Sequence, residues 1–187
     1  MSSTLLTDTR LYALLKRCAE DLATTIREAG CRCCGGELHS ACYRRKPRGL
    51  SPKSLPQEHW RMSFCCARDL CRKRATPPSL RFLGRRVYLA TAVVLASMMR
   101  CGATPVRVRR LEELIGVSRR TVKRWQQWWR CLFPRSPFWR GAGAQLCEPL
   151  VTSDLPQSLW DRFRGDGEQR LLSLLRFLSP LTGGTRI

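Results

Sequence analysis

Four cysteines fall into two pairs whose spacing suits a tetrahedral metal site. Cys31 and Cys34 form a C-x2-C pair that is followed by two glycines, and Cys66 and Cys71 form a C-x4-C pair. Thiolate sulfur is a preferred zinc ligand, and two such pairs on separate turns supply the four sulfurs of a structural site. The glycines let the first turn tighten, so that backbone amides can point at the sulfurs. The spacing predicts a structural Zn²⁺ held by these four residues.

Other cysteine and histidine residues offer alternative ligand sets. Cys65 can replace Cys66 at the cost of a longer loop to Cys71. His39 and Cys42, together with the first pair, approach a compact Cys/His knuckle, although their spacing is shorter than that motif normally uses. The chain has 11 cysteines, and we expect four further ones to be buried free thiols: Cys18, Cys101, Cys131 and Cys147.

The segment VRRLEELIGVSRRTVKRWQQWW, residues 108–129, has the pattern of a helix-turn-helix. Leu111 and Ile115 are spaced as the buried face of a first short helix requires. Gly116 falls at the sharp turn, and Ser118 suits the N-cap of the second helix. Further along, Val122, Trp125 and Trp129 repeat at intervals of three and four residues. This spacing places them on one inward stripe.

Basic and amide side chains remain on the outward face of that second helix. In a helix-turn-helix, the N-terminal half of the second helix enters the major groove of DNA. Arginine and glutamine make bidentate contacts with guanine and adenine edges. The pattern therefore predicts a DNA-reading face composed of Arg119, Arg120, Lys123, Arg124 and Gln127. An ordinary amphipathic helical hairpin with a solvated basic face is the alternative interpretation.

Charge is concentrated in the middle of the chain. The 187 residues carry 34 basic and 14 acidic side chains, a net charge of +20, and residues 30–147 hold 25 of the basic and 5 of the acidic ones. Such a block binds a polyanion through counterion release. A membrane binder usually shows a basic amphipathic helix with aromatic anchors. Here the basic residues cluster at turns instead. One example is the run Arg72, Lys73 and Arg74 that follows the second cysteine pair. We therefore expect contact with nucleic acid and none with a membrane.

Periodicity places helices on both sides of this block. Residues 8–28 have the pattern of an amphipathic helix, and Gly30 is expected to end it. The 13-residue apolar stretch Val87–Met99 is too short to span a bilayer and predicts a buried helix. We interpret residues 134–149 as irregular, and residues 155–163 and 166–178 as two short helices. The second of these carries apolar residues on more than one face, which predicts either burial within the chain or contact with a second copy or a partner protein.

The expected fold is mainly α, with a helix-turn-helix domain and a small β zinc ribbon inserted after an N-terminal helix. We divide the chain into an N-terminal helix (1–30), a zinc-ribbon-like basic module (31–78), a helix-turn-helix domain (79–133) and a neutral C-terminal helical segment (134–187). The Pro-rich residues 76–79 mark the second boundary. A basic, proline-rich loop of sequence RRKPRGLSPKSLPQ lies inside the module. We expect it either to follow a phosphate backbone or to be disordered when free.

The combination CRCCGG…FCCARDLCRKR followed by GVSRRTVKRW resembles the DNA-recognition portions of bacterial insertion-sequence and transposase-associated proteins. The similarity covers about residues 31–130. It implies DNA binding in transposition or recombination, a transposase as a partner, and a bacterial cytoplasmic, nucleoid-associated location. Strand-transfer chemistry is not implied, because transposases of the acidic-triad type carry a long RNase H-like domain. The middle of this chain has only five acidic residues, Glu37, Glu58, Asp69, Glu112 and Glu113.

Catalytic constellations are missing from the sequence. With two histidines and no Walker-type glycine loop, the chain offers few parts for a nucleophile–His pair or a nucleotide-hydrolysing site. We expect a non-enzymatic, sequence-preferring double-stranded DNA-binding protein that uses a homodimer or a protein partner through its C-terminal helices. A transcriptional regulator of helix-turn-helix type is the first alternative. An RNA-binding or ribonucleoprotein-associated zinc protein is the second, although the narrow major groove of A-form RNA excludes a helix.

Overall fold

The computed structural model describes residues 2–45, 60–83, 89–98, 116–143 and 150–183, together with the single positions 106, 109, 113 and 146. The described residues are mainly helical, with a small amount of antiparallel sheet, and the expectation of a mainly α chain is confirmed. The seven α-helices of these ranges are α1 (Ser2–Thr7), α2 (Thr9–Glu28), α3 (Ala90–Ser97), α4 (Arg119–Gln127), α5 (Pro137–Gly143), α6 (Gln157–Trp160) and α7 (Gly167–Leu178).

Local signals at both ends define α2. The carboxylate of Asp8 accepts hydrogen bonds from the amides of Arg10 (2.8 Å) and Leu11 (3.3 Å), which satisfies the first exposed amides of the helix. At the other end, Gly30 adopts a φ of +73°, which stops the helix soon after Glu28. The predicted N-terminal helix is confirmed, and its apolar face lies on the core.

One hydrophobic core joins the helices from the two ends of the chain. Every residue of α3 is buried, as the sequence predicted for this apolar stretch. Around it pack Leu11 and Leu15 of α2, Trp125 of α4 and Leu174 of α7. The N-terminal helix, the basic middle and the neutral C-terminal segment therefore share a single apolar interior.

A second, smaller unit consists of five short antiparallel strands. They are β1 (Leu38–Ser40), β2 (Tyr43–Arg44), β3 (Trp60–Arg61), β4 (Phe64–Cys66) and β5 (Arg74–Ala75). The order β1-β4-β5 forms a three-stranded sheet, and β2 pairs with β3. In the central pairing Leu38 lies opposite Cys66, and Phe64 lies opposite Ala75. The pairing brings the residues after Gly30 close to those around Cys66.

Two predictions for the segment after α4 are wrong. Residues 137–143 form α5, because the hydroxyl of Ser136 accepts a hydrogen bond from the amide of Trp139 (3.1 Å) and Pro137 suits the first helical position. The residues Trp128–Leu132 continue α4 as a π-helical turn, which leaves Cys131 exposed, whereas we expected a buried thiol.

The C-terminal helix α7 belongs to the main core. Asp166 and Gln169 form a capping box, with hydrogen bonds of 2.8 and 3.1 Å between each side chain and the other residue's amide. The side chains of Leu171, Leu174, Leu175 and Leu178 are buried within the chain itself. Intramolecular packing therefore covers one apolar face of α7.

The first helix of the proposed helix-turn-helix, with Leu111 and Ile115, lies outside the described residues, apart from three helical, exposed positions, Val106, Arg109 and Glu113. Most of the basic loop (residues 46–57), Cys101 and Cys147 also lie outside them. Within the described ranges, none of the helices combines the length and the hydropathy of a transmembrane span.

Candidate metal centre and nucleic-acid surface

The sulfurs of Cys31, Cys34, Cys66 and Cys71 lie within 4.8 Å of one another. The Cys31–Cys71 and Cys34–Cys66 sulfur pairs are 3.7 and 3.4 Å apart. Four sulfurs around one ion at about 2.3 Å stand about 3.8 Å apart in a tetrahedron. The structure thus brings together the four residues that the spacing predicted as ligands, and this cluster could hold a metal ion.

The first cysteine pair lies on a tight turn between α2 and β1. The amide of Gly35 donates to the Cys31 carbonyl (2.7 Å), and the amide of Cys31 donates to the Gly36 carbonyl (2.8 Å). Gly35 adopts a φ of +68°, a conformation that costs glycine little. This turn directs both sulfurs toward the sheet.

The second pair lies on the turn between β4 and β5. The amides of Cys71 and Arg72 both donate to the Arg68 carbonyl at 3.0 Å, and the amide of Cys66 donates to the Lys73 carbonyl at 2.9 Å. The amide of Ala67 donates a hydrogen bond to the Glu37 carbonyl (2.9 Å), which links this turn to the residue before β1. The two turns therefore hold their sulfurs against each other.

Backbone amides lower the pKa of one clustered thiol, and burial raises the pKa of another. Hydrogen bonds from the amides of Cys33 and Cys34 lower the pKa of Cys31 from 9.0 to about 7, which favours the thiolate that a metal requires. Burial raises the pKa of Cys66 to about 12, against a smaller opposing effect of the Arg68 amide. A bound cation would remove the second effect, because a coordinated thiol is deprotonated outright.

The alternative ligands lie away from the cluster. The sulfur of Cys65 lies 3.5 Å from the Arg72 carbonyl oxygen. His39 is exposed, with Nε2 3.8 Å from a carboxylate oxygen of Glu37, and Cys42 is exposed, with its sulfur 3.9 Å from the Ser63 carbonyl oxygen. None of these three residues joins the four clustered sulfurs.

The hydrophobic core beneath the cysteine cluster is small. Its buried residues are Ala23, Cys31, Leu38, Phe64 and Cys66, with a few half-buried neighbours such as Ile26 and Met62. So few apolar side chains stabilise a fold only weakly, and small units of this kind usually depend on a metal or a disulfide.

Arg68 is a bracing residue that the sequence analysis did not single out. Its guanidinium donates to the Cys34 carbonyl (3.1 Å), so the second turn holds the first. The aliphatic part of the side chain lies over Gly36, where a Cβ would stand 3.1 Å from Arg68 Cγ. The only signal in the sequence is the second glycine after Cys34.

The basic run after Cys71 is exposed on the same unit. Arg72, Lys73 and Arg74 are all solvent-accessible, and Arg72 has a φ of +45° as the chain turns into β5. Asp69, whose carboxylate is 3.9 Å from the Arg72 guanidinium, is a highly exposed partner. The run therefore extends from the second turn as a cationic edge.

Helix α4 separates apolar and basic side chains along its length. Ser118 accepts a hydrogen bond from the Thr121 amide (3.4 Å), so the predicted N-cap is confirmed, and Gly116 has the positive φ (+62°) that the sequence led us to expect. Val122, Trp125 and Trp129 are buried. The five residues on the other face are all exposed: Arg119, Arg120, Lys123, Arg124 and Gln127.

The chain matches no protein-family model, no curated protein and no solved structure. Function is therefore inferred from the cysteine cluster and the basic face of α4.

Proposed function

We propose that this protein is a non-enzymatic, sequence-preferring double-stranded DNA-binding protein, with α4 as its recognition helix. The observation that carries the proposal is the division of α4 into a buried Val122/Trp125/Trp129 face and an exposed face of four cations and one glutamine. In a helix-turn-helix, the N-terminal residues of the second helix contact base edges in the major groove, and this is the role we propose for the start of α4.

The side chains of this face suit both kinds of DNA contact. Arg120, Lys123 and Arg124 can reach base edges or adjacent phosphates, and Gln127 can pair with adenine. No acidic residue lies on α4, so nothing on the helix opposes a polyanion. The net charge of +20 adds non-specific attraction through counterion release.

The cysteine unit supplies a second, sequence-independent contact in this proposal. Arg72, Lys73 and Arg74 follow directly after a proposed metal ligand, Cys71, and lie at the edge of the small sheet. A metal in the cluster would fix that edge, and its cations would then position the protein on phosphates. The unit acts in this proposal as a zinc ribbon.

Zn²⁺ is the metal we propose for the four sulfurs. A closed tetrahedral set of thiolates is typical of structural zinc, and the same set also accommodates iron. The test is elemental analysis of protein produced in medium that contains both metals. We expect about one zinc per chain. Absence of zinc, or iron in its place, would overturn this assignment.

We further propose that the DNA-binding activity belongs to a mobile element, as a transposition accessory or terminal-repeat binder. The support is the resemblance of the paired motifs CRCCGG…FCCARDLCRKR and GVSRRTVKRW to insertion-sequence proteins. An adjacent transposase gene or terminal inverted repeats would support this context, and an unrelated operon with a binding site in its own promoter would favour a transcriptional regulator.

The experiment for DNA binding is selection from a random duplex pool, followed by competition. We expect the selection to enrich one duplex sequence. Neither the single-stranded form of that sequence nor a double-stranded RNA of the same sequence should compete well with this duplex for the protein. The triple variant R120A/K123A/R124A should lose this binding while it retains its helical content.

A charge-matched control separates base reading from general attraction. The variant R10A/R17A/R164A removes three exposed cations that lie away from α4, and we expect it to keep the sequence preference. A folded α4 variant that binds the selected duplex unchanged would contradict the proposal. Stronger binding of RNA would favour the ribonucleoprotein alternative.

A further inference from the structure

A cavity of about 400 Å³ opens beside the first cysteine pair. It forms where the end of α2, the Cys31–Cys33 turn, β5 and the C-terminal residues Pro180 and Gly183 meet. Its volume falls within the range of about 300–1,000 Å³ that is usual for small-molecule sites. Neither the DNA-reading face of α4 nor the sulfur cluster accounts for this cavity.

The charges that line the cavity all have one sign. Arg32, Lys73 and Arg74 contribute exposed cationic side chains to the lining, and none of the described lining residues is acidic. Arg32 belongs to the first cysteine turn, whereas Lys73 and Arg74 follow the second. Because the two turns meet at the sulfurs, three cationic residues from distant parts of the sequence line one opening. Such convergence selects an anionic ligand.

Part of the remaining lining is apolar. Ile26, Ala75, Pro78 and Pro180 form this wall. A fully hydrated inorganic anion would gain nothing from these side chains. A ligand with a flat, apolar face beside its negative charge would use both parts of the cavity.

We propose that this cavity binds one phosphorylated nucleotide, with its base against the apolar wall and its phosphate against Arg32, Lys73 and Arg74. The proposal deepens the proposed function, because a strand of bound DNA is one source of such a nucleotide. A free mononucleotide is the other source, and it presents the same chemistry. The cavity would thus extend the phosphate contact proposed above for Lys73 and Arg74 to a whole nucleotide, separately from α4.

The test titrates the zinc-loaded full chain with dAMP, dCMP, dGMP, dTMP and inorganic phosphate, with binding followed by calorimetry. We expect at least one nucleotide to bind about tenfold more tightly than phosphate, since burial of the base against the apolar wall adds to the ionic contact. Equal affinity for phosphate and all four nucleotides, or no binding at all, would overturn the proposal.

A variant that fills the cavity separates the contribution of cavity shape to nucleotide binding from the contribution of charge. A Cβ at Gly183 would stand 3.7 Å from the Thr76 and Pro180 carbonyl oxygens, an ordinary contact, so the site accepts a side chain. We expect Gly183→Phe to weaken nucleotide binding about tenfold with no change in net charge, and Lys73→Ala to weaken it through the phosphate. Arg10→Ala, on the outer surface of α2, is the control. If Gly183→Phe does not fold, Lys73→Ala and Arg32→Ala decide. Folded cavity variants with unchanged affinity would overturn the proposal.

A competition experiment distinguishes the two sources of the nucleotide. One duplex carries a single 5′-phosphorylated overhanging nucleotide, and its partner of the same sequence is blunt and lacks the phosphate. Displacement of the bound mononucleotide by the first duplex alone assigns the site to a DNA strand, and displacement by neither assigns it to a free nucleotide. The R120A/K123A/R124A variant should retain mononucleotide affinity, so failure of α4 as a DNA reader and failure of this site give different results.

Discussion

Cys65 and Cys66 are neighbours in β4, and their sulfurs have different surroundings. Successive side chains of a strand point to opposite faces, so Cys66 lies 3.4 Å from Cys34 whereas Cys65 lies near the Arg72 carbonyl. The sequence alone left both residues open as ligands. The choice depends on the register of β4 against β1, where Leu38 lies opposite Cys66, and such long-range pairing is not encoded in local spacing.

Replacement of one cysteine at a time tests this difference. Cys66→Ser should lower the zinc content from about one ion per chain to well below one, because the site loses a buried ligand. Cys65→Ser should retain the ion. The measurement is elemental analysis after gel filtration. The reverse pattern, with zinc lost from Cys65→Ser only, would move the ligand by one position.

Arg68 offers a second test at the residue scale. Because its guanidinium braces the Cys34 carbonyl, Arg68→Ala should keep the zinc stoichiometry and weaken zinc affinity by about 10–100-fold, as is typical of outer-shell partners. Competition with a chromogenic chelator measures this. The matched control is Arg27→Ala, an exposed arginine outside the two turns. Equal zinc affinity in both variants would show that Arg68 has no bracing role.

At the scale of elements, local signals define some helices and tertiary contacts define others. The sequence predicted α2 from its apolar stripe and Gly30, and α4 from its stripe and its cap Ser118, because these signals lie within a few residues of the helices they specify. The π-helical turn after α4 did not follow from local patterns, and α5 was not predicted although Ser136 and Pro137 supply local start signals. There, Phe133 packs against Trp129, and Phe138 of α5 packs against Phe177 of α7, with ring centroids 4.8 and 5.4 Å apart. Only the folded chain brings the second pair of rings together.

The cap of α4 gives a prediction at this scale. Ser118→Ala removes the acceptor of the Thr121 amide and should lower the free energy of unfolding by about 0.5–2 kcal/mol. Ser118→Asp supplies another acceptor and should keep most of the stability. Urea denaturation followed by circular dichroism measures both variants. If the alanine and aspartate variants were equally stable, the cap would not contribute.

At the scale of the whole molecule, the C-terminal segment is part of the main core. Leu171 and Leu174 are fully buried among residues of the earlier helices. The sequence showed that α7 has more apolar surface than one narrow stripe, but it could not show which surface covers it. A dimer or a partner protein remains a prediction for the surface that the chain itself leaves exposed.

Truncation of single leucines tests the core position of α7. Leu174→Ala should cost about 2–5 kcal/mol of stability, because it leaves a cavity in the main core. Leu172→Ala, at a half-buried position of the same helix, should cost clearly less. Thermal and urea unfolding of the full chain provide the comparison. Equal losses in the two variants would contradict this placement.

Arg61 connects the cysteine unit with the C-terminal end. Its buried guanidinium donates to the carbonyls of Pro77 and Thr182, the latter at 3.1 Å. Burial lowers its pKa to about 10, so it remains charged at neutral pH. The Thr182 hydroxyl also accepts a hydrogen bond from the Ser79 amide (2.6 Å). Residues 76–79, which break regular structure as the sequence predicted, thus form a packed junction between the cysteine unit and the C-terminus.

The central claim is that the exposed face of α4 reads DNA bases. The most direct test measures the dissociation constant for the selected duplex and divides it by that for a duplex of scrambled sequence. The ratio is determined at one salt concentration for the unaltered chain and for three single variants, Arg120→Ala, Lys123→Ala and Arg124→Ala. We expect at least one replacement to raise this ratio toward one, by the equivalent of about 1–3 kcal/mol, because a base contact is lost while the general charge attraction remains. A ratio unchanged in all three folded variants would contradict this claim.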